Sequence, residues 1–154
     1  MYPISKNLDF TFLQYLDGSN SKVNKTPKQI DNSSILGFIE SDKNFQDFLT
    51  IVRIADFGQD LSCNLKHMTL FLPIDCSRVN LLTLDKLEAR KIVMLSLLPS
   101  ILYERDLITG LFDTYLRNYQ LWIEKGVIND KSVILQYNIK RSNGLIHVID
   151  KLPF

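Results

Sequence analysis

Between Asp42 and Gly58 the apolar residues Phe45, Phe48, Leu49, Val52 and Ala55 recur three or four positions apart. That spacing gathers them on one side of a helix. Ser41 or Asp42 can cap its start, and Gly58 stands where a C-capping glycine belongs. A second helix is expected over Leu84 to Leu98, capped by Thr83 and ended by Pro99. Its first half is charged; its second half, from Ile92 to Leu98, is apolar nearly all round, so it should run into the core. Between the helices, Thr69-Leu70-Phe71-Leu72-Pro73-Ile74-Asp75 predicts a strand stopped by proline. Short strands should follow Gly110: Tyr119 to Ile123, Val127-Ile128 and Val133 to Ile139, with turns at Glu124-Lys125-Gly126 and Asn129-Asp130. Trp122 and Tyr119 lie on one of them, with core packing the default and an exposed binding surface the alternative. Finally Asn143-Gly144, a dipeptide that tolerates positive φ, launches the run Leu145-Ile146-His147-Val148-Ile149, a strand buried on both faces. Helices first and hairpins later predict an α+β fold.

The N-terminal quarter reads differently. In residues 1–17, Leu8, Phe10 and Phe12 alternate and Leu13, Tyr15 and Leu16 follow. The alternation fits a strand, and the later spacing also fits a helical turn. Residues 18–34 are polar throughout except Val23, Pro27 and Ile30, too little apolar surface to offset the entropy of ordering, so they read as a linker. The chain thus divides into an apolar arm (1–17), a linker (18–34) and a folded body (35–154). An aromatic-rich head on a polar leash is a candidate docking arm, through Phe10, Phe12, Leu13 and Leu16; the alternative is that it folds back on its own domain.

Charge does little to narrow the partner. Residues 1–34 hold four Lys and three Asp, and the rest holds 14 basic and 14 acidic residues, for a net +1. No basic patch for nucleic acid is expected. The longest apolar stretch is interrupted by Pro99 and too short to span a bilayer. No apolar leader is visible after Met1. Sequons at Asn24 and Asn32 lie in the linker and carry little weight without a leader.

No catalytic constellation stands out. Cys63 and Cys76 fit no metal or redox spacing and are expected as two free, partly buried thiols, with a disulfide the alternative. A dyad of either cysteine with His67 is the remote nucleophilic option. His147 lies among Ile and Val and needs a hydrogen-bond partner in the core. Gly110, Gly126 and Gly144 are isolated, not a phosphate loop. No cofactor and no metal are expected.

The C-terminal stretch Asn143-Gly144-Leu145-Ile146-His147-Val148-Ile149-Asp150-Lys151-Leu152 resembles the closing motif of fasciclin-type domains. Thr69, Phe71, Pro73 and Asp75 stand as in that family's first motif, and Ile35 to Gly58, Ile92 to Pro99 and Val127 to Ile134 resemble its intervening segments. The resemblance covers about Ile35 to Phe154. It implies a fasciclin-like wedge of two β-sheets with packed helices, whose core holds the two motif strands, and a fold-bearing role for Thr69, Phe71, Pro73, Asp75, Asn143, Gly144, His147, Ile149 and Asp150. It also implies a non-enzymatic module that binds protein partners. The chain departs from the family at Leu95-Ser96, where many members carry Tyr-His connected with integrin recognition, at Asn138, and at Cys76-Ser77-Arg78. Integrin-type recognition is therefore not expected. An Asn-, Lys-, Ile- and Asp-rich composition suggests an AT-rich genome such as that of a large DNA virus, and a minor capsid or virion component is the expectation. The alternative is an extracellular adhesion domain whose leader has been removed.

Overall fold

The computed structural model describes residues 32–154; the arm and most of the linker, with Phe10, Phe12, Leu13 and Leu16, lie outside the described residues. The elements run α1 (Ile35–Ser41), a 3-10 turn (Lys43–Phe45), α2 (Gln46–Ala55), α3 (Gly58–Ser62), β1 (Met68–Asp75), α4 (Lys86–Leu95), β2 (Leu97–Leu98), a second 3-10 turn (Glu104–Asp106), β3 (Gly110–Asp113), β4 (Gln120–Glu124), β5 (Val127–Ile128), β6 (Ser132–Arg141) and β7 (Gly144–Lys151). Seven strands pair in the order β2-β1-β7-β6-β5-β4-β3. Among the described residues only β1 and β7 are parallel. Ten-residue β6 belongs to both halves: Ser132 and Val133 pair with β5, and Ile134 onward pairs with β7 across two register shifts. This is the expected α+β wedge.

The parallel pair forms the centre. Along β1, Met68, Leu70 and Leu72 point to the helices, while Phe71 points the other way. Along β7, Ile146 and Val148 join the helical core and Ile149 joins Phe71. The first core collects Phe45, Phe48, Leu49, Ile51, Val52 and Ala55, so the periodicity over the first helix is borne out. The second core is smaller and closes the wedge with Leu98, Leu107, Leu121, Ile123, Ile128 and Ile134.

Several boundaries differ from the sequence reading. Asp42 caps the 3-10 turn through the amide of Asn44, and α2 follows it. The left-handed C-cap is Asp56, not Gly58, which starts α3. The second helix is capped by Asp85, whose carboxylate accepts from the Glu88 amide, and Thr83 lies outside it. It stops at Leu95, because Leu97 and Leu98 leave to pair with β1. Strand β1 passes through Pro73. The Phe71 N–H donates to the Ser96 carbonyl (2.9 Å), on the β2 side. Two residues on, proline's missing N–H points to that same side, beyond the last β2 pair, so no ladder bond is lost.

The turns are instructive. Lys125 and Gly126 between β4 and β5 both have positive φ (51° and 79°), as a primed hairpin turn requires. Asn129 (53°) and Asp130 (58°) also lie in the left-handed region. Asn143 and Gly144 do not, against expectation. Glycine is required at 144 for space: a Cβ there would lie 2.2 Å from the Met68 carbonyl oxygen and 2.9 Å from Ile35 Cδ1. The glycine lets β7 approach the start of β1.

Candidate functional site

The motif residues with chemical capacity are occupied in holding the fold. His147 is fully buried between Phe71 and Tyr137, with ring centroids 5.7 and 5.4 Å away. Its Nδ1 accepts from the Asn138 amide (3.0 Å), so the ring proton sits on Nε2, which faces the Leu102 carbonyl (2.8 Å). Burial holds its pKa below the ordinary 6.5, in favour of this neutral form. Thr69 grips the same loop: its hydroxyl donates to the Ser100 carbonyl (2.6 Å) and accepts from the Leu102 amide (2.9 Å). The first and last motifs therefore pin one loop from two neighbouring strands.

The sequence reading did not identify Asn138 as part of this arrangement. It sits in the β6 irregularity at φ 63°, a conformation asparagine tolerates, and its side chain accepts from the Glu104 amide (2.9 Å). Asn143 is buried and bridges three segments. Its Oδ1 accepts from the Ile35 amide (2.9 Å), and its Nδ2 donates to the Leu61 carbonyl (2.8 Å). Asp150 accepts from the Val133 amide (2.9 Å), and Asp75 from the Ser77 amide (2.8 Å), which lowers the Asp75 pKa. Phe71 and Ile149 are core, and Pro73 is buried beside them.

The nucleophilic option does not assemble at Cys76. Both cysteines are free thiols. Burial pushes the Cys76 thiol up to about 12, the wrong direction for a thiolate. It also lies at the far end of β1 from His67, roughly 30 Å along the strand by its ordinary rise. The Cys63 sulfur accepts from the Leu65 amide (3.4 Å). Among the described residues no group of three or more His, Cys, Asp or Glu side chains could hold a metal ion. At Leu95-Ser96, Ser96 is buried with its hydroxyl on the Ile92 carbonyl (2.9 Å).

What the fold leaves available is a sheet face. Strand β3 alternates, with Phe112 turned toward the inner core and Leu111 outward, 60% exposed. Leu111 is directly opposite Trp122, which is half-buried, while its neighbours Leu121 and Ile123 are core. Val127 of β5 faces Val133 of β6, and Val133 and Leu135 (55% exposed) flank the inward-facing Ile134. Leu111, Trp122, Val127 and Val133 thus share the outward face of the β3–β6 sheet, with Asp113, Gln120 and Glu124 at its edge and exposed Leu135 following at the register shift of β6. Tyr119, expected in a core strand, precedes β4 and is exposed. No described helix is long and apolar enough to cross a membrane.

Comparison with known proteins fits this architecture. A family model described as the Fasciclin domain matches residues 43–152. Among 18 matching solved chains is a FAS1 domain pair from the insect cell adhesion molecule Fasciclin I, with a TM-score of 0.65 and 19% identity. The match covers 79% of this chain and 50% of that one. The chain spans half the length of that domain pair, and at this identity the likeness is one of fold. No curated protein matches the sequence.

Proposed function

Because this chain belongs to the fasciclin domain family, we propose that it is a non-catalytic protein-interaction module and a small component of a larger assembly. The observation that carries this reading is the outward apolar face of Leu111, Trp122, Val127 and Val133, with exposed Leu135 beside it. Exposed and half-buried apolar side chains gathered on one sheet face, with polar residues at the edge, are the anatomy of a protein contact. The arm residues Phe10, Phe12, Leu13 and Leu16 are the second proposed contact. Crosslinking mass spectrometry on native source material tests this. Crosslinks to a protein neighbour are expected from Lys125 and Lys131, in the turns flanking β5. Crosslinks confined to Lys43, Lys86 and Lys91, on the helical side, would overturn it.

The setting we propose is a minor position in a virion shell of a large DNA virus, on the composition alone. A second reading, an extracellular adhesion domain, draws on the likeness to a domain pair from a cell adhesion molecule. The codons upstream of Met1 separate the two. A hydrophobic leader supports adhesion, and an authentic start at Met1 supports the assembly.

A further inference from the structure

Strand β3 ends the sheet order and pairs only with β4 among the described residues. The Thr114 N–H donates to the Tyr119 carbonyl on the β4 side (3.1 Å). By strand alternation the amides of Phe112 and Gly110 point the same way, leaving those of Leu111 and Asp113 on the open edge. An open edge beside exposed Leu111 is a template for another strand.

We propose that residues 8–12 of this chain add to that edge as an eighth strand, with Leu8, Phe10 and Phe12 on the face shared by Leu111 and Trp122. The segment alternates in the required way, Leu8-Asp9-Phe10-Thr11-Phe12. Lys6 has the same parity, so it joins a face whose β3 edge carries Asp113. The reach is sufficient. The described chain begins at Asn32, whose carbonyl accepts from Arg141 at the far end of β6. Ten residues of β6 and three strand spacings place the β3 edge about 36 Å from there on a flat sheet. The 19 residues from Leu13 to Asp31 can span at most roughly 65 Å, well beyond that distance. A short leash keeps the segment near millimolar effective concentration, which favours the contact within one chain. The added strand would extend the outward apolar face and hold Phe10 and Phe12 in place for a partner, so the proposal rests on the interaction-module reading and makes it specific.

Trp122 is the only tryptophan and reports on this face. The full chain is compared with F10D/F12D and with the double variant Thr11→Pro/Phe12→Pro, which removes an N–H on the paired side whichever way the strand runs, without adding charge. Each variant should shift Trp122 emission to the red, raise its quenching by iodide and remove exchange protection from the Leu111 and Asp113 amides, equally at low and high protein concentration. Unchanged emission and exchange in both variants would overturn the proposal. So would an effect that vanishes on dilution, which would mark a contact between copies. Partner crosslinks at Lys125 and Lys131 with no response at Trp122 would sink the added strand and leave the module reading standing.

Discussion

Strands β1 and β7 bury residues on both faces, whereas strands β3 to β6 bury one and show the other to solvent. The first region carries every recognisable motif residue. Its polar groups are consumed there: Thr69 and His147 on one loop, Asn143 on α1 and α3. The second region carries none of the residues of the first and closing motifs, yet it presents a sheet face with exposed Leu111 and Val133. In a scaffold of this kind, residues that identify the fold are poor guides to the contact, because a buried group with satisfied hydrogen bonds has little left to offer a partner.

Four measurements break or sharpen that contrast. The largest effect should come from Phe71→Ala, which empties the second core next to Ile149. A loss of about 3–5 kcal/mol in urea unfolding is expected. A near-neutral result would mean that this core collapses around the gap. Next, Gly144→Val drives side-chain atoms into the Met68 carbonyl. It should cost about 1–3 kcal/mol, toward the upper end because the obstacle is backbone. An unchanged melting temperature would show that β7 does not approach β1 this closely.

The third is a pH effect. Burial lowers the His147 pKa, so the neutral ring is the form that stabilises the fold. That contribution is fully present above the unfolded value of about 6.5 and is lost progressively as pH falls through it toward the folded pKa. The urea midpoint should decline from pH 7.5 to 5, before Asp75 protonates. A flat profile in that window would contradict the hydrogen bond from the Asn138 amide to Nδ1.

The smallest stability change should come from Leu135→Ser at an exposed position of β6, within about 0.5 kcal/mol. The same substitution should weaken capture of the protein neighbour found by crosslinking. Retained capture would move the contact away from β6, and a large stability loss would place Leu135 in the fold-bearing region instead.

Local patterns by themselves determined a good deal. Periodicity placed the apolar face of α2 and the burial of Ile149, and turn-forming residues placed the hairpin turns at Glu124-Lys125-Gly126 and Asn129-Asp130. These depend on residues a few positions apart, where spacing and backbone preference act directly. The motif match extended this to the fold. Tertiary structure alone decided the rest. The pairing of β1 with β7 joins segments about 76 residues apart, and it set why Gly144 must be glycine: the obstacle is the Met68 carbonyl, not its own φ. Leu97 and Leu98 continue a helical pattern in sequence but leave it, because an edge of β1 offers them backbone partners and a buried site. Trp122 and Leu111 look like core residues until the sheet shows which of its faces has a neighbour. A strand's two-residue period says that it has two faces; only the packing says which one is covered.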